Sequence, residues 1–422
     1  MKKLYLLSLY FLLWSCTSTP KGKIVIIEPK VQNHQEGVRT GLDVLLEDYP
    51  SLLKGKSIAL ITNHTGISKN NEKNYELFSK NSDIDLKKIF APEHGFYGEA
   101  SAGEKVEYNS NRTGVEIISL YGKNKKPTPD MLEGIDLIIY DIQDVGARFY
   151  TYISTLGMAM EAAGEHGIEV MVLDRPNPIG GNIIEGAILD TAFKSFVGYY
   201  PIPTRYGLTV GELSQMAYNE NWLTSRPPTL TIVKMDKWER SMYFDETGLT
   251  WVSPSPNIPD LETAIIYPGM CIYEATNVSE GRGTKKPFKQ IGAPWMSYSI
   301  AKELNNYNLE GVEFGYAKFK PKNLIGVAEN PKFENIKCIG FKINITDKKE
   351  YRPIKTAIHS TLISFAFYPD QFKYESKKLG RLWGNKELFL FLTGKLKEKK
   401  LFKSLKSDLD IFVLQSAPYF LY

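Results

Sequence analysis

The residues best suited to chemistry stand together in Pro92-Glu93-His94-Gly95-Phe96-Tyr97-Gly98. A carboxylic acid can hand over a proton, and an imidazole can hold or orient one. Two aromatic faces beside them can carry a sugar ring. The stretch follows a short apolar run, Leu86 to Phe90, of strand length. Pro92 ends that strand, and Gly95 and Gly98 permit a sharp turn. Glu93 and His94 are therefore expected on a loop at a strand's carboxyl end. Open α/β sheets bind ligands at that edge.

Three further polar groups obey the same rule. Asn63 and His64 follow Ser57 to Thr62, and Asp141, Gln143 and Asp144 close Ile135 to Asp141. Asp174 and Arg175 follow Glu169 to Leu173. If these runs are parallel neighbours, their tips converge on one cleft. Arg148, Arg175 and Arg282 have the fork geometry that grips a carboxylate. Each could equally form a structural ion pair with a nearby aspartate. The strand tips carry neither a dinucleotide glycine pattern nor a P-loop. No Gly-x-Ser-x-Gly elbow is present either. Carboxylate chemistry remains, and glycoside hydrolysis is its commonest form.

The elements that must position these groups are legible as alternating periods. Continuous apolar runs mark strands covered on both faces. Tyr152 to His166 has helical periodicity and is closed by Gly167. A second helix opens at Thr209 with Glu212 completing a capping box. A third is expected over Lys386 to Leu396. Strands alternating with helices predict an α/β fold: a Rossmann-like, doubly wound, mostly parallel sheet. The pattern weakens after Pro254-Ser255-Pro256-Asn257. The expected division is a catalytic domain over 39–255 and a smaller mixed α/β domain over 256–422.

Composition narrows the class. The 422 residues, 43% apolar and 24% charged, fit a globular chain of more than one domain. The 52 basic residues are scattered among 48 acids, which is no footprint for nucleic acid. Lys2 and Lys3 precede an apolar run, Leu4 to Trp14, that ends Ser15-Cys16. This is a signal peptide (1–15) of the kind cut before a cysteine that is then lipidated. Residues 16–38 are expected to form a lipidated tether, and the membrane partner is reached through Cys16. Thr17 is not an inner-membrane-retaining aspartate, so an outer-membrane lipoprotein facing the periplasm is expected. Cys271 and Cys338 permit a disulfide without implying one. Neither has metal-ligand spacing, and no cofactor or metal is expected.

Several motifs together carry a resemblance. They are Pro92-Glu93-His94-Gly95, Tyr140 to Tyr152, Leu173-Asp174-Arg175-Pro176-Asn177-Pro178, Pro254-Ser255-Pro256-Asn257 and Ser279-Glu280-Gly281-Arg282-Gly283-Thr284. In this order they resemble the exo-β-N-acetylmuramidase family of glycoside hydrolases, from about Gly41 to the C-terminus. The resemblance implies release of terminal N-acetylmuramic acid from the non-reducing end of peptidoglycan fragments. It implies Glu93 as acid/base, with the cleft between a Rossmann-like domain and a smaller one. His64 stands where the resemblance leads one to expect glutamine. The second catalytic group stays open among Asp141, Asp144, Glu274 and Glu280. The substrate's own acetamido group is a further option. The candidate substrate-binding residues are Asn63, His94, Arg148, Tyr150, Asp174, Arg175, Asn257 and Arg282. The reading is an enzyme of cell-wall turnover and recycling. The alternative is a non-catalytic lipoprotein that captures muropeptides.

Overall fold

A computed structural model describes residues 22–31, 37–100, 104 and 114–422. Cys16 and the signal segment lie outside the described residues.

Seven parallel strands form the central sheet, in the order β1-β7-β6-β5-β2-β3-β4. They are β1 (Lys23–Ile27), β2 (Ser57–Thr62), β3 (Asp85–Ala91), β4 (Glu116–Ser119), β5 (Leu137–Asp141), β6 (Glu169–Leu173) and β7 (Thr229–Val233). The chain winds outward from β2 to β4, returns beside β2 as β5, and winds out the other way. The middle strands show why continuous apolar runs are needed. Ile138 and Tyr140 of β5 pack into one core, while Leu137 and Ile139 pack into another across the sheet. Alternate residues thus enter opposite layers, and both layers are dry.

Helices cover the two faces: α1 (Gly41–Asp48), α2 (Asn74–Lys80), α3 (Pro129–Leu132), α4 (Tyr152–His166) and α5 (Val210–Asn219). Gly167 ends α4 in the left-handed conformation, φ 68°. The reciprocal Thr209–Glu212 capping box opens α5.

The second half is a three-stranded antiparallel sheet, β8 (Gln290–Ala293), β9 (Val312–Phe319) and β10 (Cys338–Ile345), in the order β8-β10-β9. Its helices are α6 (Leu261–Met270), α7 (Ser299–Asn306), α8 (Pro353–Phe367), α9 (Ser376–Trp383), α10 (Glu387–Leu392) and α11 (Glu398–Ser416). One apolar cluster runs unbroken from Ile138 and Leu156 to Ile358 and Phe391, so the halves share a core.

Two expectations need correction. The segment read as tether contributes β1, which pairs parallel with β7 from Lys23↔Thr229 to Ile27↔Val233. Its Ile24 and Ile26 pack on the main core, which a solvated linker would not do. The helix expected over Lys386 to Leu396 is present as α10 but stops at Leu392, just ahead of Gly394, which adopts φ 71°. The longer α11 follows it. Cys271 and Cys338 are both free and buried.

Candidate active site

Only the carboxyl half of β3 is buried, and it delivers Pro92 and Glu93 directly to the sheet's carboxyl edge. Three residues of the following turn adopt positive φ: His94 (67°), Gly95 (75°) and Gly98 (72°). A Cβ on Gly98 would lie 2.1 Å from the His64 ring, so only glycine fits. His64 in turn bonds the Ser253 carbonyl at 2.8 Å, tying this turn to the segment between the domains. The buried His94 imidazole contacts the Ala100 carbonyl at 3.0 Å through Nδ1. Burial holds its pKa below the usual value, against the opposing pull of Glu93.

Glu93 is half-buried and held from two sides. Thr151, at the start of α4, donates its hydroxyl to Oε2 at 2.5 Å. Tyr121 also hydrogen-bonds Glu93, and burial and that carboxylate together push the phenol's pKa up.

A cavity of about 100 Å³ opens beside Glu93. His94, Tyr150, Thr151, Glu274 and Arg282 share its wall, with Phe149, Tyr267 and Phe288 as aromatic faces. Tyr267 packs edge-on against Phe149 at 5.2 Å and Phe288 at 4.9 Å, and the Arg282 guanidinium lies 5.0 Å from the Phe288 ring centre. Glu274 and Arg282 also line a neighbouring cavity of about 450 Å³, together with Glu280, Lys332 and Lys378. That volume is of small-ligand size. A roomier apolar cavity of about 530 Å³ lies elsewhere, between α8 and α11. It receives none of the strand-tip carboxylates, so it is not the catalytic candidate.

Charge is arranged asymmetrically across the site. Arg282 bonds Glu274 through Nη2 at 2.7 Å, and its Nε lies 3.7 Å from Glu280. Glu280 is bound in turn by Lys332 at 2.9 Å. Burial pushes the Glu274 pKa up, but Arg282 and then Lys378 and Lys332 reverse this, leaving it below 4.5. Glu274 is therefore an ionised group in neutral solution and no source of protons.

The structure thus gathers Glu93, His94, Tyr150, Glu274 and Arg282 on one cavity wall, with Glu280 next door. The remaining candidates serve the scaffold. Arg175 grips Asp141 with two bonds, of 2.6 and 3.0 Å, and Asn74 adds a third at 2.7 Å. Arg148 is fully buried and donates to the carbonyls of Ala187 (2.5 Å), Ile202 (2.8 Å) and Leu382 (2.9 Å). Its two terminal nitrogens are taken by backbone and the side chain is fully buried, so a substrate carboxylate has no approach. Asp144 accepts bonds from the Tyr206 hydroxyl and the Gly146 amide, and burial raises its pKa to about 6. Asp174 accepts from Thr209, Gly211 and Tyr422 at 2.7 to 2.9 Å, holding the start of α5. Asn63 folds its own loop through Thr65, and Asn257 donates to the Val327 carbonyl at 2.6 Å. Among the described residues no group of His, Cys, Asp and Glu could hold a metal ion.

Thr151, Tyr121, Tyr267 and Phe288 were not singled out from sequence. Thr151 had a signal, since it adjoins Tyr150 directly after a strand-tip loop. Tyr121 ends an apolar run and so reaches the same edge.

Two carboxylates on one aromatic-walled cavity, at the carboxyl edge of a doubly wound sheet, define a two-domain glycoside hydrolase site. The comparisons give the particular family. Residues 58–262 match the N-terminal model of exo-beta-N-acetylmuramidase NamZ, and residues 265–422 match its C-terminal model. The chain is 46% identical over 351 residues to the peptidoglycan beta-N-acetylmuramidase NamZ of Bacillus subtilis (strain 168), covering 82% of each chain. A solved DUF1343-family protein of Bacteroides fragilis NCTC 9343 superposes with a TM-score of 0.84 at 35% identity, over 92% of this chain and all of that one. A second from the same organism gives 0.75 at 32%, over 92% and 99%. This chain belongs to the exo-β-N-acetylmuramidase NamZ family of glycoside hydrolases.

Proposed function

We propose that the chain removes terminal N-acetylmuramic acid from the non-reducing end of peptidoglycan fragments, with Glu93 as the proton donor. We further propose that it works in cell-wall turnover and recycling, held through Cys16 at the outer membrane and facing the periplasm. The observation that carries the catalytic reading is the placement of Glu93, at the end of β3, on one cavity wall with Glu274 and Arg282. Glu274 is locked as an anion by Arg282 at 2.7 Å. Glu93 lines the same cavity and accepts hydrogen bonds from the hydroxyls of Thr151 and Tyr121.

The roles follow from charge. Glu93 protonates the leaving glycosidic oxygen, a contribution of roughly a hundred- to ten-thousand-fold. Glu274 stays ionised, which suits stabilisation of positive charge at the anomeric carbon or orientation of the acetamido group. Arg282 is the arginine of the cavity and takes the lactyl carboxylate that distinguishes the muramyl sugar from N-acetylglucosamine. The aromatic walls supply the apolar faces against which the sugar ring rests.

Glu93→Gln tests the assignment, because it keeps shape and hydrogen-bonding reach but cannot release a proton. The expected result is retained affinity for a muramyl-glucosamine disaccharide with kcat reduced at least about a hundredfold. An activated aryl leaving group needs little protonation and should be cleaved with a smaller loss in the first step. Near-wild-type kcat on the disaccharide would remove Glu93 from the acid role.

A further inference from the structure

Strand β1 is parallel to its neighbours, so the chain enters the fold at the sheet's amino edge. The Glu93 turn lies at the opposite, carboxyl edge. Gly22, just before β1, is wedged against the Tyr218 hydroxyl and the Pro227 carbonyl. The next residue, Lys23, donates its amide to the Pro228 carbonyl at 3.0 Å. The entry point is therefore fixed beside the carboxyl end of α5.

The end of α11 reaches the same place. Gln415 donates to Glu220 at 2.7 Å, and the Tyr419 hydroxyl donates to the other oxygen of Glu220 at 2.6 Å. Glu220 is the residue that closes α5, two positions after Tyr218. Here α11 exposes Ile411 (63%), Val413 (42%) and Leu414 (77%) within four positions. No other helix among the described residues exposes three large apolar side chains so close together. Ile411 and Leu414 are three apart and lie on one face. Lys399, Lys400 and Lys403, all exposed, continue along the helix.

We infer that the last turns of α11 form a membrane-contacting surface, with Ile411 and Leu414 seated in the acyl boundary of the bilayer. This rests on the lipid-anchor reading of Cys16. Six residue steps separate Cys16 from Gly22, and at about 3.6 Å per step the anchor lies within roughly 22 Å of the amino edge. The bilayer must then stand beside the end of α5, where α11 presents its apolar face. Asp410, next to Ile411, is paired with Lys406 at 2.6 Å, and the exposed apolar side chains beyond it suit the boundary between headgroups and acyl chains. The same geometry turns the cleft away from the bilayer, because entry and cleft occupy opposite edges of one parallel sheet.

The test uses the lipidated full-length protein in vesicles of phosphatidylethanolamine and phosphatidylglycerol carrying brominated acyl chains. An environment-sensitive fluorophore is placed at Leu414→Cys and, separately, at the exposed Glu329→Cys beside the cleft. Quenching and a blue shift at position 414, with neither at 329, are expected. Adding Ile411→Asp should cut the quenching at 414 by about half or more, by making insertion unfavourable. A protein that cofractionates with the vesicles but shows no quenching at 414 overturns the surface and leaves the anchor standing. A protein that stays in solution overturns both. Quenching replaced by energy transfer between labelled copies overturns it in favour of self-association.

Discussion

Arg282→Met isolates the electrostatic role of the cavity. The methionine keeps much of the contact with Phe288 but removes the bond to Glu274 at 2.7 Å. Both side chains of the pair are about one-fifth exposed, so the pair is well shielded but not dry. Breaking a fully buried pair costs about 3–5 kcal/mol; with Lys332 and Lys378 still attracting Glu274, about 2–3 kcal/mol is expected here. The pH dependence has a definite sign. In the wild type the Glu274 pKa lies below 4.5, so its contribution to stability is present above 4.5 and fades as pH falls through the folded value. In the variant burial prevails and the pKa rises, so the folded state gains a proton more readily than the unfolded one. The deficit should therefore be largest at pH 7 and shrink on acidification toward pH 4. Urea unfolding at the two pH values measures it, and Glu274→Gln added to Arg282→Met should recover part of the loss. An equal deficit at both pH values would assign the effect to packing on Phe288 and refute the charge argument. Turnover of the muramyl disaccharide should fall as well, by roughly ten- to a hundredfold for a lost charge-assisted bond.

Thr151→Val removes the hydroxyl that donates to Glu93 at 2.5 Å and keeps the β-branched shape. It should lower kcat about tenfold or more with little change in melting temperature, while Thr151→Ser restores activity. Gly98→Ala drives a Cβ toward the His64 ring at 2.1 Å from a positive-φ position. It should depress both melting temperature and kcat, and His64→Ala should relieve part of the defect. Tyr422→Phe deletes the hydroxyl that bonds Asp174 and the Met235 amide, and about 1–2 kcal/mol of stability should be lost in denaturant unfolding.

The sheet was legible because its strands are covered on both faces. A run such as Leu137–Asp141 must be apolar without interruption, and Pro92 and Gly98 punctuate the chain where β3 ends. The position of Glu93 on a carboxyl-edge loop followed from those local signals alone. What each polar tip residue does was not local. Asp141 and Arg175 are 34 residues apart and neutralise each other, and Arg148 meets a carbonyl 234 residues away. Nothing in their own neighbourhoods distinguishes a substrate-facing arginine from a buried one. Strand β1 escaped notice although its run is as long as β5 and β6, because the polar, proline-containing chain before it reads as a tether. The glycine at 394 was a signal present in the sequence, and α11 beyond it packs on α10 and, through Phe402 beside His359, on α8, which are contacts its own sequence does not announce.

Arg148 and Asp174 also set the order in which this molecule can be completed. Both belong to the half of the chain that leaves the ribosome first. Arg148 obtains its third carbonyl from Leu382, and Asp174 obtains a hydroxyl from Tyr422, the final residue of the sequence. A nascent N-terminal half would therefore hold a buried cation and a buried carboxylate with partners still unsynthesised, and such groups are costly when left unmatched. The two halves are bound to mature together.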